Sequence, residues 1–346
     1  MKALRTIALT LLFLCALPAG AAFRSVDPIQ VPGELLVEIG GKPLANLRLY
    51  AFRAGAMTMI PYQIDERLPN GTWIFELGAT NTKLANRLFD RQDLLVFRAR
   101  DLGDRAERGL WPSASTVEIE IRDPRDQSRA YAYLVCFPQN PPARPRFDTI
   151  KLAQSNPWER GEMPFTVSGE TYTIEGMVNL IRGNYYKTAV NKALYFPTAG
   201  GQTQNLLDGM RMRAFAEVLF GQIRIDADET NMMGGIQALT QGPIRGYGRQ
   251  WMTFTLPLGL SSPRIYSDVF TYDRMVVAPM KHNIPFNPDA LLTRAGIEFG
   301  YDFAEAAVGM RFFSPNCLEG VTIDGKMSKR ERTLPNRSEE RRVGKE

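Results

Sequence analysis

Val117-Glu118-Ile119-Glu120-Ile121-Arg122 alternates apolar and charged side chains for six residues. Successive side chains of an extended strand point to opposite faces, so this pattern puts Val117, Ile119 and Ile121 on a core and the charges in water. Asp123-Pro124-Arg125-Asp126-Gln127 follows, a run of residues that favour turns. Arg129 to Phe137 then returns as a greasier segment, and the two together predict an antiparallel hairpin.

Working outward, the same signals recur. Leu35–Ile39 and Leu47–Phe52 read as an earlier strand pair with Gly40-Gly41-Lys42-Pro43 as its turn, and Asp93–Ala99 as another strand. Downstream come Phe165–Val167, Thr171–Ile174, Met212–Ile225, Trp251–Leu256, Ile265–Tyr272 and Arg274–Val277. Met212–Ile225 is long for one strand and is expected to break near Gly221. Helix signals are few: Asn287-Pro288-Asp289 ahead of Ala290–Ala295, and helical spacing of Phe303, Ala306, Ala307 and Met310. Pro138-Gln139-Asn140-Pro141-Pro142-Ala143-Arg144-Pro145 is proline-dense, as linkers are. The sequence thus predicts an all-β chain of two consecutive antiparallel β-sandwich units. The N-terminal one spans residues 22–138, a linker 139–145, and a larger, supersandwich-like one 146–336.

The two ends read as lying outside that fold. Lys2 and Arg5, the apolar run Ile7–Leu17 and the small residues Ala19-Gly20-Ala21 have the form of a secretory signal peptide over residues 1–21. This implies a periplasmic or secreted protein with no transmembrane anchor once the leader is cleaved. The last ten residues, 337–346, look like a sequencing adapter translated in frame; a solvated charged tail is the alternative.

Formal charge is +5, from 42 Lys and Arg against 37 Asp and Glu. The leader holds +2 of it and the last ten residues +1, which leaves +2 over residues 22–336. So small a net charge, with basic residues scattered, argues against nucleic acid as a partner. Cys136 and Cys317 follow the leader and are open to two readings, a disulfide in an oxidising compartment or buried thiols. No phosphate-binding glycine loop, Gly-x-Ser-x-Gly elbow or Cys-x-x-Cys pair is present, and no motif calls for a cofactor.

Pro61-Tyr62-Gln63-Ile64-Asp65-Glu66, followed by Leu95-Val96-Phe97-Arg98-Ala99-Arg100-Asp101-Leu102-Gly103-Asp104, resembles a group of exported bacterial all-β proteins without an assigned activity. Asp65, Glu66 and Asp101 are hard oxygen donors and form a candidate metal set, although the arginines among them suit ion pairs instead. Gly242-Pro243-Ile244-Arg245 looks like a strand entry of galactose mutarotase-like and polysaccharide-lyase domains, a resemblance that implies a sugar-binding sheet. On that reading Arg245, Tyr247, Trp251 and Tyr272 are candidate ligand-binding residues, with rings that suit sugar faces or, equally, a sandwich core.

His282 is the sole imidazole of the chain, so any base with an ordinary pKa near neutrality rests on it. His282, Arg245 and Asp273 form the catalytic alternative, with Asp226 and Asp228 as a further acidic pair on one strand face. Two functions follow as expectations. The first is a non-catalytic envelope protein that binds a polysaccharide or another envelope component, or serves a structural role. The second is a carbohydrate-active enzyme of lyase, hydrolase or epimerase type.

Overall fold

A computed structural model describes residues 27–329, except 79, 125, 146–150, 155–160, 169–172, 183–184, 198–202, 219, 229–230, 256–260, 274, 278, 282–291, 315–316 and 327. The expected leader, His282 and the last ten residues lie outside the described residues. The chain is all-β, built of several antiparallel sheets. Among the described residues, no helix is long and apolar enough to cross a membrane.

Among the described residues, eight strands precede residue 138: β1 (Pro28–Pro32), β2 (Leu47–Arg53), β3 (Ala56–Met59), β4 (Tyr62–Asp65), β5 (Leu77–Gly78), β6 (Leu94–Arg98), β7 (Thr116–Arg122) and β8 (Arg129–Cys136). β1-β6-β4 make one sheet and β3-β2-β8-β7 a second. Their facing sides close one core. Val31, Tyr62, Leu95 and Phe97 come from the first sheet, and Leu47, Leu49, Ala51, Ile119, Ala132, Leu134 and Cys136 from the second. Burial of this many large side chains, each worth about 1.5–3 kcal/mol, is what holds the two sheets together. The hairpin predicted from the alternation at Val117–Arg122 is β7–β8, paired from Thr116 with Val135 to Arg122 with Arg129.

β6 is apolar on both faces for a reason. Leu95 and Phe97 enter the first core, whereas Val96 turns the other way and meets Ile244 and Tyr272. The strands beyond residue 150 that matter here are β9 (Lys151–Gln154), β10 (Gly161–Ser168), β11 (Thr173–Arg182), β12 (Tyr185–Pro197), β13 (Thr203–Asn205), β14 (Leu207–Val218), β15 (Ile223–Asp228), β16 (Met232–Gln241), β17 (Arg245–Phe254), β18 (Ile265–Tyr272), β19 (Val276–Val277), β20 (Met280–Lys281) and β21 (Leu292–Phe303). They form a long antiparallel sheet in the order β19-β18-β17-β16-β12-β11-β10-β9, to which β13 and β20 also pair, and a separate sheet β15-β14-β21. Ala214 and Ala227 of the separate sheet pack against Met252, Phe254 and Ile265 of the long one. β5 belongs to the long sheet, through Leu77 with Leu239 and Gly78 with Ala238. The segment 138–145 forms no strand, and Arg144 lies over the Tyr62 ring with its centre 5.0 Å away.

Three expected elements are corrected. Leu35–Ile39 is not a strand but part of two 3₁₀ turns, Gly33–Leu35 and Val37–Ile39. Gly33, Leu36 and Ile39 are the buried positions, a spacing of three that eclipses side chains in a 3₁₀ turn, while Leu35 and Val37 face solvent. The helix expected over Ala290–Ala295 gives way to β21 from Leu292 onward, because Ile297, Phe299, Tyr301 and Phe303 alternate and carry the segment along β14. The helical spacing of Phe303, Ala306, Ala307 and Met310 yields only the 3₁₀ turn Glu305–Ala307. The break near Gly221 is present, as the turn between β14 and β15.

A buried joint and an open groove as candidate functional sites

Arg245 opens β17 directly opposite Tyr272 of β18, and the next pairs on the same face are Tyr247 with Phe270 and Arg249 with Asp268. This face is covered by residues from β4 and the Trp73–Phe75 segment. Arg245 is 1% exposed; its Nε donates to Asp65 Oδ2 at 2.8 Å and its Nη1 to the Tyr272 hydroxyl at 2.7 Å. Nη2 sits 2.6 Å from the same Asp65 oxygen, at an angle that forms no well-aligned hydrogen bond. The rings of Trp73, Tyr247, Phe270 and Tyr272 surround the guanidinium at 4.6–5.8 Å.

Gln63 completes the joint. Its Nε2 donates to Asp65 at 2.5 Å, and its Oε1 accepts from the backbone N–H groups of Ile244 and Arg245, each at 3.1 Å. A Cβ on Gly242 would lie 2.0 Å from that Oε1, which is why the residue there is glycine. The Gln-Ile-Asp and Gly-Pro-x-Arg segments, about 180 residues apart, are therefore two halves of one contact. Burial pushes the Asp65 carboxyl above its usual range, and the Arg245 charge opposes that push. Burial works against the charge of Arg245, yet Asp65 and Tyr272 outweigh it and hold the guanidinium above its ordinary value. Burial likewise raises the Tyr247 and Tyr272 hydroxyls.

The remaining predicted residues divide between this joint and other places. Asp273 is buried and bonded to Arg100 at 2.8 Å, a second tie to the first half of the chain. Trp251 shares the face of Arg245 further along β17, paired with Tyr266, and Arg264 stacks over it at 4.2 Å. Glu66 is bonded to Arg87 at 2.9 Å and Asp101 to Arg98 at 2.5 Å. Each of the three candidate metal ligands thus faces an arginine, the ion-pair alternative of the sequence reading. Asp226 is exposed and holds Arg224.

The open surface is elsewhere. A groove of about 890 Å³ runs beside the start of β7, lined among others by Lys42, Arg105, Arg108, Trp111, Thr116 and Glu118. Arg105 grips Glu118 through Nε and Nη2 at 3.1 and 2.9 Å and lies over Tyr131. Arg108 lies over Trp111, whose ring packs on Tyr133 at 5.7 Å. Trp111 Nε1 is shielded from solvent and has no acceptor among the described residues. The sequence gives these residues no binding role. Their one signal is a lone tryptophan in a charged segment, Arg105-Ala106-Glu107-Arg108-Gly109-Leu110-Trp111-Pro112.

Compared with protein-family models, curated proteins and solved structures, the chain matches none.

Proposed function

We propose that the chain is an exported, non-catalytic binding protein of the cell envelope, periplasmic or secreted, that holds a polysaccharide in the groove beside β7. The observation that carries this reading is the groove's lining, in which the Trp111 ring lies among Lys42, Arg105, Arg108 and Glu118. Sugars are bound by that combination, with apolar ring faces on aromatics and hydroxyls on charged or amide groups. Arg245 and Asp273, two members of the catalytic alternative, are buried and ion-paired away from this groove.

The test is a glycan array with the purified protein, followed by calorimetric titration of any glycan that binds. Lys42→Ala and Arg108→Ala, both at exposed positions, should weaken binding several-fold without lowering the melting temperature. Absence of binding to every glycan overturns the polysaccharide reading. Release of an altered sugar from a bound glycan replaces it with the carbohydrate-active enzyme.

A further inference from the structure

β7 ends the sheet β3-β2-β8-β7, and among the described residues nothing pairs with its outer edge. Edge strands are commonly guarded by proline, a bulge or short length. In the first sandwich β1 starts and ends in proline, and β3 has four residues. β7 has seven residues, no proline or glycine, and an unbroken register with β8. Cys136 donates its N–H to the Ser115 carbonyl and Asp123 donates to that of Ser128, which fixes the phase of the ladder. Odd-numbered residues of β7 thus exchange backbone bonds with β8, and the N–H and C=O groups of Glu118, Glu120 and Arg122 point away from it. Such a row is complementary to one kind of ligand, another extended strand.

Charge selects which strand. Arg122 is exposed and lies directly opposite Arg129 of its own hairpin, a like-charge pair. Arg129 leans to Glu120 at 3.4 Å, whereas Arg122 makes no ion pair among the described residues. A carboxylate on the open side of Arg122 would balance it, and β7 carries one itself. Antiparallel pairing with β7 of a second copy, about a two-fold axis at Ile121, sets Glu120 opposite Arg122 twice and Ile121 opposite Ile121. Sliding to the next register either way sets Glu120 against Glu120 or Arg122 against Arg122. We propose that the chain forms a two-fold dimer through the β7 edge in this register, which joins two four-stranded sheets into one. Glu120 and Arg122 of the two copies exchange backbone bonds and pair their charges on the outer face. On the inner face each Ile121, half-buried beside a recess lined by Ile29, Ala99 and Pro124, covers the other. Glu120, Ile121 and Arg122 do not line the groove, so the dimer is independent of what the groove holds.

The experiment is sedimentation velocity of the full chain over a range of concentrations. So short a ladder is expected to give a Kd on the order of 10 μM. Glu120→Pro removes an N–H that the β7–β8 ladder does not use, and should leave a folded monomer with the circular dichroism of the wild type. Arg122→Glu, at an exposed position, sets carboxylate against carboxylate at both pairs and should weaken dimerisation roughly tenfold. Adding Glu120→Arg to Arg122→Glu restores opposite charges and should recover most of that loss, a rescue that mere destabilisation of the fold would not give. Should Glu120→Pro fail to fold, the two charge variants decide alone. A wild type that stays monomeric at ten times the expected Kd overturns the proposal. So does a dimer that Arg122→Glu leaves intact, which would lie on another face, and so does a double variant no better than Arg122→Glu alone.

Discussion

Asp65 and Arg245 lie 180 positions apart in the chain and 2.6 Å apart in the fold, at 2% and 1% exposure. A pair so deeply buried adds little net stability over apolar residues of the same shape, but removing one partner strands a charge in a medium that cannot solvate it. Arg245→Met should therefore cost about 3–5 kcal/mol in urea unfolding at neutral pH. The double variant Asp65→Leu with Arg245→Met should lose far less than the two single losses combined. Simple additivity of the two would mean that they are not one interaction.

Two glycines test how tightly the joint and the first sandwich are packed. Gly242→Ala forces the Gln63 amide off the backbone N–H groups of Ile244 and Arg245, at an expected cost of about 1–3 kcal/mol. Once Gln63→Ala has removed that amide, adding Gly242→Ala should cost nothing more. Gly103→Ala should be worse than Gly242→Ala, because its Cβ would fall 2.2 Å from the Phe52 carbonyl oxygen, and backbone of β2 yields less than a side chain. Thermal melts of the variants rank them, and equal losses would refute the packing argument.

Cys136 and Cys317 are buried as free thiols. A thiol-specific reagent should label both slowly in the native protein and both at once in urea, with no reductant added. Labelling that needs prior reduction would establish a disulfide between them instead.

These contacts also explain what the sequence made legible. Strict alternation at Val117–Arg122 and a glycine break at Gly221 are local signals, and both elements formed where read. Leu35–Ile39 misled because a period of three across Gly33, Leu36 and Ile39 is too short a run to separate from a strand. β16 was missed, since Met232-Met233-Gly234-Gly235 is poor in strand formers and its pairing comes from β17 and β5. The Gln63–Asp65 and Gly242–Arg245 segments stood out singly as motifs. Nothing within either one announces the other, because a register between distant strands is a property of the assembled core. The same holds for the groove, whose lining comes from three separate stretches, 38–42, 105–111 and 114–118.

Asp93 supplies a pH dependence with a definite sign. It is 1% exposed, its Oδ1 accepts from the Arg67 N–H and its Oδ2 from the Asp90 N–H, both at 2.8 Å. Burial pushes the carboxyl from 3.8 up to about 6, with the two N–H bonds opposing and the charges of Asp90 and Glu66 adding to the rise. Between those values the folded protein holds a proton that the unfolded chain has lost. This group therefore favours folding more as pH falls from about 6 towards 3.8, by up to about 3 kcal/mol. Asparagine cannot titrate, so the stability difference between wild type and Asp93→Asn should shift towards the wild type by that amount between neutral pH and about pH 4. Urea midpoints for the two proteins across that range decide it. A difference that stays constant with pH would mean that Asp93 remains ionised in the fold, its two backbone donors outweighing the cost of burial.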